Sequence, residues 1–249
     1  MSSTTKVQSK SFFKRMIPSF LSSKKNKKVQ GQVQVQKQEQ VKTAKDFKTA
    51  VMNRRTIYAI SKDIKVSDEK LQEIVEFGIN YSPSAFNSQS ARAVLLLGKH
   101  HDKFWSITTE ILRKMVPADK FAATEAKMKG FSSGYGTVLF FEDQEPVKKL
   151  QEQFPSYAHN FPVWSEQSSG MLQFIIWTAL ENEGLGASLQ HYSPLVDESV
   201  QKEWDIPSNW KLVAQMPFGH PVQAAGPKEF QPIQDRVKIF KSNLHDSKL

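Results

Sequence analysis

The longest predicted helix, residues 165–183, carries the feature that most constrains the fold. Its stretch 171–180 is apolar except for Gln173 and Thr178. A helix that is apolar on nearly every side is buried on nearly every side. A chain of 249 residues forms one domain, or at most two small ones, with a core of limited size. We therefore predict that a second subunit covers part of this helix.

Between residues 46 and 240 the chain alternates between helical and strand patterns. Ser67 is a suitable N-cap for a helix that runs to about residue 80. Gly184 is a suitable left-handed cap after helix 165–183. Further helices are predicted over residues 46–54, 102–115 and 119–129, and strands over residues 93–97, 137–141, 187–191 and 211–218. These elements indicate an α/β domain.

Basic residues are concentrated at the amino terminus. Residues 1–45 contain eleven of the 34 Lys and Arg but only one of the 25 acids, Glu39, which leaves 23 bases against 24 acids elsewhere. The folded body therefore lacks the excess of bases that a nucleic-acid-binding face requires, and we predict no specific nucleic-acid partner. A weak affinity of the basic tail for nucleic acids or anionic membranes is the remaining alternative.

Three absences in the sequence exclude further classes of site. The chain has no Cys, which excludes a disulfide framework, a thiol nucleophile and a cysteine-ligated metal. No stretch reaches the roughly 18 apolar residues of a membrane span, so no transmembrane segment is predicted. Neither a catalytic triad nor a metal-spaced cluster of His, Asp and Glu is visible, so no metal site is predicted.

Both termini carry candidate targeting signals. Residues 1–45 are rich in Ser, Lys and Gln, and we predict that they form a disordered basic tail. An amphipathic stretch within this tail, interrupted by Pro18, fits either a mitochondrial presequence or a solvated basic arm. Residues 241–249 are predicted to be a C-terminal tail, and it ends in Ser247-Lys248-Leu249, the peroxisomal tripeptide. We favour the peroxisome; the mitochondrion and the cytoplasm are the alternatives.

Arg54, Arg55 and Thr56 follow the first predicted helix and can bind a monophosphate. The two guanidinium groups supply permanently charged, bidentate donors, and Thr56 adds a hydroxyl. Lys228 is a more distant cation for the same phosphate. Neither a P-loop nor a dinucleotide-binding glycine motif is present. The alternative is that the Arg pair is solvated and interacts with the dipole of the helix.

A second polar segment, residues 83–89, lies between a predicted helix and a predicted strand. Its sequence PSAFNSQ is typical of a loop, with short polar side chains and a proline. Asn87 and Gln89 can satisfy the hydroxyls of a ribityl chain and the polar edge of a ring. Pro83 and Ser84 can form the wall beside them.

The third and fourth segments are GLGASLQHY, residues 184–192, and FGHP, residues 218–221. The two glycines of the third segment allow a turn and a close approach of the backbone to a planar ligand. His191 is a candidate substrate-pocket residue or proton donor, and a hydrogen-bonded structural role is the alternative. Together the four segments supply cations for a phosphate, polar side chains for a ribityl chain, and amide groups for a ring edge.

In this order, the four segments resemble the FMN site of the nitroreductase family. Residues 46–240 are similar to its small fungal and bacterial branch, the fatty-acid-regulated nitroreductase-like proteins. The resemblance implies an FMN-binding domain with a mixed, largely antiparallel sheet and helices on both faces, in a homodimer with two shared sites. It also implies NAD(P)H as co-substrate and nitroaromatics, quinones or related electrophiles as small-molecule electron acceptors.

The resemblance also implies roles for individual residues. Leu189 and Gln190 lie along the flavin ring, and the loop 83–89 reaches the flavin of the partner subunit. Four aromatic residues could line the open face of the ring or could belong to the core: Phe86, Phe131, Tyr135 and Tyr192.

Three positions depart from the family pattern. Ser90-Ala91 stands where Pro-Trp is common, His220 replaces a Tyr, and Phe230 stands where an Arg is frequent. We therefore expect the phosphate to depend mainly on Arg54 and Arg55.

The predicted function is an FMN-dependent oxidoreductase that transfers a hydride. Flavin itself accepts and releases the hydride, so the protein needs no nucleophile, metal or triad of its own. The alternative is a regulatory or stress-response flavin-binding protein on the same fold, with incidental reductase activity.

Overall fold

A computed structural model describes residues 45–241. Its helices are α1 (Phe47–Asn53), α2 (Asp68–Tyr81), α3 (Lys99–Met115), α4 (Phe121–Ser132), α5 (Gln144–Gln153), α6 (Phe161–Asn182) and α7 (Asp197–Trp204). Its strands are β1 (Ile60–Ser61), β2 (Ala91–Leu97), β3 (Gly136–Asp143), β4 (Gly186–Ala187) and β5 (Trp210–Pro221). Residues 1–44, which include the candidate presequence, and the tripeptide Ser247-Lys248-Leu249 lie outside the described residues.

The five strands form one sheet in the order β1–β5–β3–β2, with β4 beside β5. The pairings between named strands are antiparallel. At one end of the sheet, Gly136 of β3 lies between Leu97 of β2 and Phe218 of β5. An isolated parallel bridge joins Thr56 to Ala187. The predicted mixed, largely antiparallel sheet is confirmed.

Helices cover both faces of this sheet. On the first face, α2 and α6 pack on inward-pointing strand residues, and the buried core there includes Leu71, Ile74, Leu172, Ile176, Val138, Phe140 and Met216. On the second face, α3, α4 and α7 bury Phe104, Trp105, Met128, Phe131 and Val200 against Leu139, Phe141 and Leu212. Alternate residues of β3 therefore serve two separate cores, as the two-residue period of a strand requires.

Local signals fix the ends of several helices. The Asp46 carboxylate accepts hydrogen bonds from the backbone N–H groups of Lys48 and Thr49 at the start of α1, and Ser67 caps α2 through the N–H of Lys70. Helix α6 ends where Gly184 adopts a φ of 82°. The N–H of Gly184 donates to Glu181 and that of Leu185 donates to Leu180, which is a Schellman motif.

The sequence-based prediction missed two helices and the two-residue strand β1, and it overextended one strand. Helices α5 and α7 each bury a single apolar residue, Val147 and Val200, so they offer few apolar positions from which a helical period can be recognised. The predicted strand 187–191 is the two-residue β4 followed by one bridge between Gln190 and Gln215. Lys45, which was assigned to the tail, forms an ion pair with Glu181 and belongs with the folded body.

Helix α6 spans 22 residues and leaves an apolar stripe exposed. Leu172 and Ile176 are buried in the core, but Met171 and Phe174 remain 40% and 38% exposed. Phe77 and Tyr81 of α2 are also exposed, at 51% and 71%. In the described part of the chain, no helix is long and apolar enough to cross a membrane.

Candidate functional site

Backbone pairing holds the segment Arg54–Thr56 against β4. Thr56 bridges to Ala187, and the N–H of Ile57 donates to the carbonyl of Ala187 at 2.9 Å. The approach is close enough to require glycine on the strand, because a Cβ on Gly186 would lie 2.8 Å from the Ile57 side chain. Two segments that are about 130 residues apart in the sequence thus become neighbours, and the first and third predicted site segments meet.

Arg54 and Arg55 lie close enough that their charges repel. The Arg54 guanidinium stacks over the ring of Trp177 on α6, 4.4 Å from its centroid. Burial, and then the charge of Arg55, lower the pKa of Arg54. Among residues 45–241, neither Arg forms an ion pair with a carboxylate, in contrast to Arg92 and Arg113. The result is a concentration of uncompensated positive charge.

One donor of Arg54 has no acceptor. Its Nε atom is buried and makes no hydrogen bond with any described residue. Arg55 uses Nη2 to donate to the carbonyl of Gly226 at 2.8 Å, which ties the start of the chain segment after β5 to this corner. Since a buried N–H without a partner costs free energy, the donor set fits an anionic oxygen of a ligand.

The third and fourth segments continue along the same edge of the sheet. Leu189 is half-buried against the first core, and Gln190 is buried and donates from Nε2 to Ser188 Oγ at 3.1 Å. His191 is exposed. Phe218 of β5 is fully buried and pairs with Ala187. Lys228 follows in the exposed segment after β5, with its ammonium 5.0 Å from the ring centroid of Phe230.

The loop that follows α2 has an unusual backbone. Three of its non-glycine residues have positive φ: Phe86 at 55°, Asn87 at 51° and Gln89 at 47°. Ser84 Oγ accepts a hydrogen bond from the N–H of Gln89 at 3.1 Å. The Asn87 and Gln89 side chains are exposed and make no hydrogen bonds with other residues of the described range. Pro83 is also exposed, so this loop presents its polar groups outward.

The loop lies far from the Arg pair of the same chain. Phe86 stacks with Trp164 near the start of α6, whereas Arg54 stacks over Trp177 near its end. These two Trp residues are thirteen positions apart, which is about 20 Å at a rise of 1.5 Å per residue. The strand register also separates the loop from the Arg pair. The loop enters β2 at Ala91, opposite Glu142, at the end of the sheet remote from Gly136 and Phe218. Phe218 pairs with Ala187, which bridges to Thr56 beside the Arg pair.

The four aromatic candidates occupy different environments. Phe131 is 2% exposed and packs on Trp105 in the second core, so its side chain has no open surface to offer a substrate. Tyr192 packs edge-on against Trp105 as well, and burial raises its pKa to about 12. Tyr135 donates its hydroxyl to Asp68 at 2.6 Å. Of the four, Phe86 alone is largely exposed, at 52%, and it lies on the loop after α2.

Two contacts of the candidate site were missed by sequence reasoning. Trp177, which holds Arg54, is one of many apolar residues in α6 and carries no distinguishing signal. Glu142 lies under the loop and accepts hydrogen bonds from Ser90 and Ser165. A Glu at the end of an otherwise apolar strand was a visible signal, because an ionisable residue in a buried strand needs partners. Residues 45–241 contain no group of three or more His, Cys, Asp or Glu that could hold a metal ion.

Known proteins share both the sequence and the fold. The sequence profile of the nitroreductase family matches residues 51–220. Nitroreductase FRM2 of Saccharomyces cerevisiae is 35% identical over 200 residues, which span 78% of this chain and 97% of FRM2. Nitroreductase CinD from Lactococcus lactis, solved in complex with chloramphenicol, is 47% identical with a TM-score of 0.72, over 78% of this chain and 100% of CinD.

CinD has also been solved in complex with 4-nitrophenol. A protein from Desulfovibrio desulfuricans solved in complex with FMN is 20% identical, with a TM-score of 0.58 over 80% of this chain and 99% of that one, a similarity of fold. The profile covers more than half of the chain and FRM2 is matched over nearly its whole length. The chain therefore belongs to the nitroreductase family.

Proposed function

We propose that the protein is an FMN-dependent oxidoreductase that works as a homodimer. It uses NAD(P)H to reduce nitroaromatic, quinone or related electrophilic acceptors by two-electron transfer. One observation supports the proposal: the two groups of predicted FMN contacts lie on one chain about 20 Å apart along α6, with an exposed apolar stripe of that helix between them. A second copy can supply the missing half.

The Arg54 end of the site fits the phosphate of FMN. A dianionic phosphate needs at least two cations, and Arg54 and Arg55 carry charges that no carboxylate of residues 45–241 compensates. The buried Nε–H of Arg54 lacks an acceptor, which a phosphate oxygen would provide. Thr56 is exposed beside them and can add its hydroxyl, and Lys228 is an additional cation on the segment that Arg55 holds through Gly226.

The loop end fits the ribityl chain and the ring edge. Asn87 and Gln89 point outward and have unused amide groups, which can donate to and accept from hydroxyls and ring nitrogens. They lie too far from Arg54 and Arg55 of their own chain to contact the same ligand. A two-fold axis across α6 would place the loop of one copy near the Arg pair of the other, which gives two equivalent sites per dimer.

The surface between the two half-sites is suited to a second copy. Phe174 of α6 lines one groove with Phe77 and Tyr81 of α2 and Phe47 of α1, and the groove has a volume of about 360 Å³. Met171, one turn earlier on α6, lies nearer the loop, in a groove with Phe86. All five side chains are exposed. Monomeric proteins rarely expose contiguous apolar patches of this kind. Covering this stripe would also complete the burial that the sequence of α6 predicts.

The chain after β5 supplies a further apolar surface. Residues 222–241 are exposed along almost their whole length, and their apolar side chains include Val222, Phe230, Ile233, Ile239 and Phe240, the last of them 92% exposed. Covering apolar side chains this exposed with another surface lowers the free energy of the protein. In the proposed dimer, the segment lies on the partner subunit.

When bound, FMN supplies the hydride chemistry. The chain's own residues then have three tasks: Arg54 and Arg55 bind the phosphate, Gln190 and Leu189 lie along the ring, and the loop of the partner closes the polar edge. One face of the ring must stay open, because the nucleotide and the acceptor use it in turn. The complexes of CinD with chloramphenicol and 4-nitrophenol support aromatic nitro compounds as the acceptor class.

The test is the absorption spectrum and the mass of the purified protein. We expect a yellow dimer with bands near those of free FMN, and bleaching of those bands when NADPH is added without oxygen. A colourless monomer that takes up no FMN would contradict the proposal. Bound FMN that neither NADH nor NADPH reduces would instead favour the alternative, a regulatory or stress-response flavin-binding protein.

A further inference from the structure

A buried carboxylate lies beneath the loop 84–89. Glu142, at the end of β3, is 1% exposed. Its Oε2 atom accepts hydrogen bonds from Ser90 Oγ and Ser165 Oγ, both at 2.6 Å. Its Oε1 atom is buried and has no partner among residues 45–241. None of these three residues belongs to the proposed FMN contacts, so the burial of Glu142 needs another explanation.

The carboxylate connects the end of the loop to α6. Ser90 is the first residue after the loop and Ser165 lies in the first turns of α6. The carbonyl of Ser90 also accepts a hydrogen bond from the N–H of Asp143 at 2.8 Å. Ser90 is completely buried, so its position is set by contacts with both β3 and α6.

Arg92 provides a second attachment for the same part of the loop. Its Nη1 atom donates to the carbonyl of Gln89 at 2.7 Å, and its Nη2 atom donates to Asp143 Oδ2 at 2.8 Å. Asp143 is held in turn by Asn209. Gln89 is therefore fixed through its backbone while its side chain stays free to contact a ligand.

The loop needs such attachments because its backbone is strained. Phe86, Asn87 and Gln89 all have positive φ, which costs free energy for side chains other than glycine. Such residues persist only where the surrounding contacts determine their conformation. At the other end of the loop, Phe86 is held by packing against Phe154, Phe161 and Trp164.

We propose that Glu142 is a positioning residue for cofactor binding: through Ser90 and Ser165 it holds the loop in the strained conformation that presents Asn87 and Gln89 to FMN. The contact with FMN rests on the proposed function. The attachment of the loop does not depend on it, because it involves residues of this chain alone.

The electrostatic surroundings agree with a carboxyl that acts through hydrogen bonds. Burial raises the pKa of Glu142, and the hydroxyls of Ser165 and Ser90 and the charge of Arg92 oppose that increase. Asp143 raises the pKa further. Among the other charged groups of neighbouring elements, Lys211 of β5 is paired with Glu166 of α6, and Glu145 of α5 is paired with Lys149. A neutral Gln can therefore replace the carboxyl without leaving an opposite charge unpaired.

The experiment compares variants of the full-length protein by hydrogen exchange and by FMN affinity. Glu142→Ala removes both hydrogen bonds, and we expect faster amide exchange at residues 85–90 and an FMN Kd weakened about tenfold. Glu142→Gln keeps an acceptor oxygen for both hydroxyls, and we expect both values within about twofold of the unmodified protein. FMN affinity is measured by quenching of flavin fluorescence in the apoprotein.

Thr137→Val is the matched control for a general loss of stability. Thr137 lies at the opposite end of β3, is fully buried and bonds to His101 and Trp105. Its replacement should lower the melting temperature but leave exchange at residues 85–90 and the FMN Kd unchanged. If Glu142→Ala does not fold, Ser90→Ala removes one of the two hydrogen bonds and takes its place.

Two outcomes separate this proposal from the proposed function. A folded Glu142→Ala variant with unchanged loop exchange and unchanged FMN affinity would overturn the positioning role. If the unmodified protein binds no FMN, the proposed function fails, and the exchange data alone then decide whether Glu142 holds the loop. Equal effects from Glu142→Ala and Thr137→Val on the loop would also contradict the proposal, because the effect would then reflect stability.

Discussion

The two ends of α6 hold their parts of the candidate site in different ways. At the Trp177 end, Arg54 and Arg55 lie in an extended segment that follows α1, and their charges and a buried Nε–H remain uncompensated. At the Trp164 end, the loop 84–89 has three residues with positive φ, and buried hydrogen bonds around Glu142 hold it. At the first end, charged donors are left without partners and can bind a ligand. At the second end, contacts within the chain hold the conformation of the loop.

The difference indicates that the two ends contribute to ligand binding in different ways. Long flexible guanidinium side chains can adapt to a phosphate from a relaxed backbone, provided that their charges are not already neutralised. Short amides such as Asn87 have little reach, so the backbone must place them correctly, even at the cost of strain. Affinity should therefore depend mostly on the Arg54 end, and geometric fit on the loop end.

The largest expected effect comes from separating the two ends of the site. In the proposed dimer, Phe174 lies in the apolar stripe between them, so Phe174→Asp places a charge in the interface. We expect dissociation to monomers, measured by light scattering, together with loss of bound flavin. Met115→Asp is the control, since Met115 is 58% exposed at the end of α3. A monomer that retains FMN would show that one chain holds the complete site.

The second effect tests the Arg54 end directly. Arg54→Ala with Arg55→Ala removes two charge-assisted contacts at about 1.5–3 kcal/mol each, so the Kd for FMN should rise at least about 100-fold. Arg113→Ala with Lys114→Ala, at two consecutive residues of α3, is a control with the same loss of charge. If the double variant keeps full flavin content after dialysis, the phosphate lies elsewhere.

A smaller effect is expected from the support beneath Arg54. Trp177→Leu removes the stacking partner of the guanidinium, a contact worth about 0.5–1 kcal/mol, which corresponds to a two- to fivefold weaker Kd. The kcat for a nitroaromatic acceptor should change less than the Kd for FMN. Trp204→Leu, on the other face of the sheet, is the matched control, and equal effects from both variants would argue against a specific role for the stack.

The smallest effect is a pH dependence at the loop end. Because burial raises the pKa of Glu142 above its ordinary value of 4.5, the folded protein binds this proton more tightly than the unfolded chain does. The stability that the neutral form contributes is fully present below the ordinary value and is lost as the pH rises through the folded pKa. The melting temperature should therefore fall with rising pH in the unmodified protein relative to Glu142→Gln.

The pH dependence of stability that His101 contributes has the opposite sign, so His101 must be present in every protein that is compared. Burial lowers its pKa to about 4, so its contribution to stability is lost as the pH falls from 6.5 towards that value. It is present in both proteins, so the difference between them reports Glu142 alone. Glu166→Gln, at an exposed carboxylate one position after Ser165, is the control for the change of Glu to Gln itself. Parallel pH curves for all three proteins would contradict the inference.

Much of the fold could be predicted because its signals are local. The N-caps Asp46 and Ser67 and the terminal Gly184 mark helix ends through contacts within a few residues. Helices α5 and α7 were missed because each buries only one apolar residue. The chemical character of Arg54, Asn87 and Gln89 could also be read directly, while their roles in binding FMN remain predictions.

The sequence by itself determined most of the helices and strands, and which side chains carry charge or amide groups. Only the tertiary structure decided which of these groups meet. It placed Arg54 on Trp177, put the loop about 20 Å away along α6, and joined Glu142 to Ser90 across 52 positions. The physical reason is that periodicity and capping act within a few residues, whereas such contacts depend on how the sheet and α6 pack together.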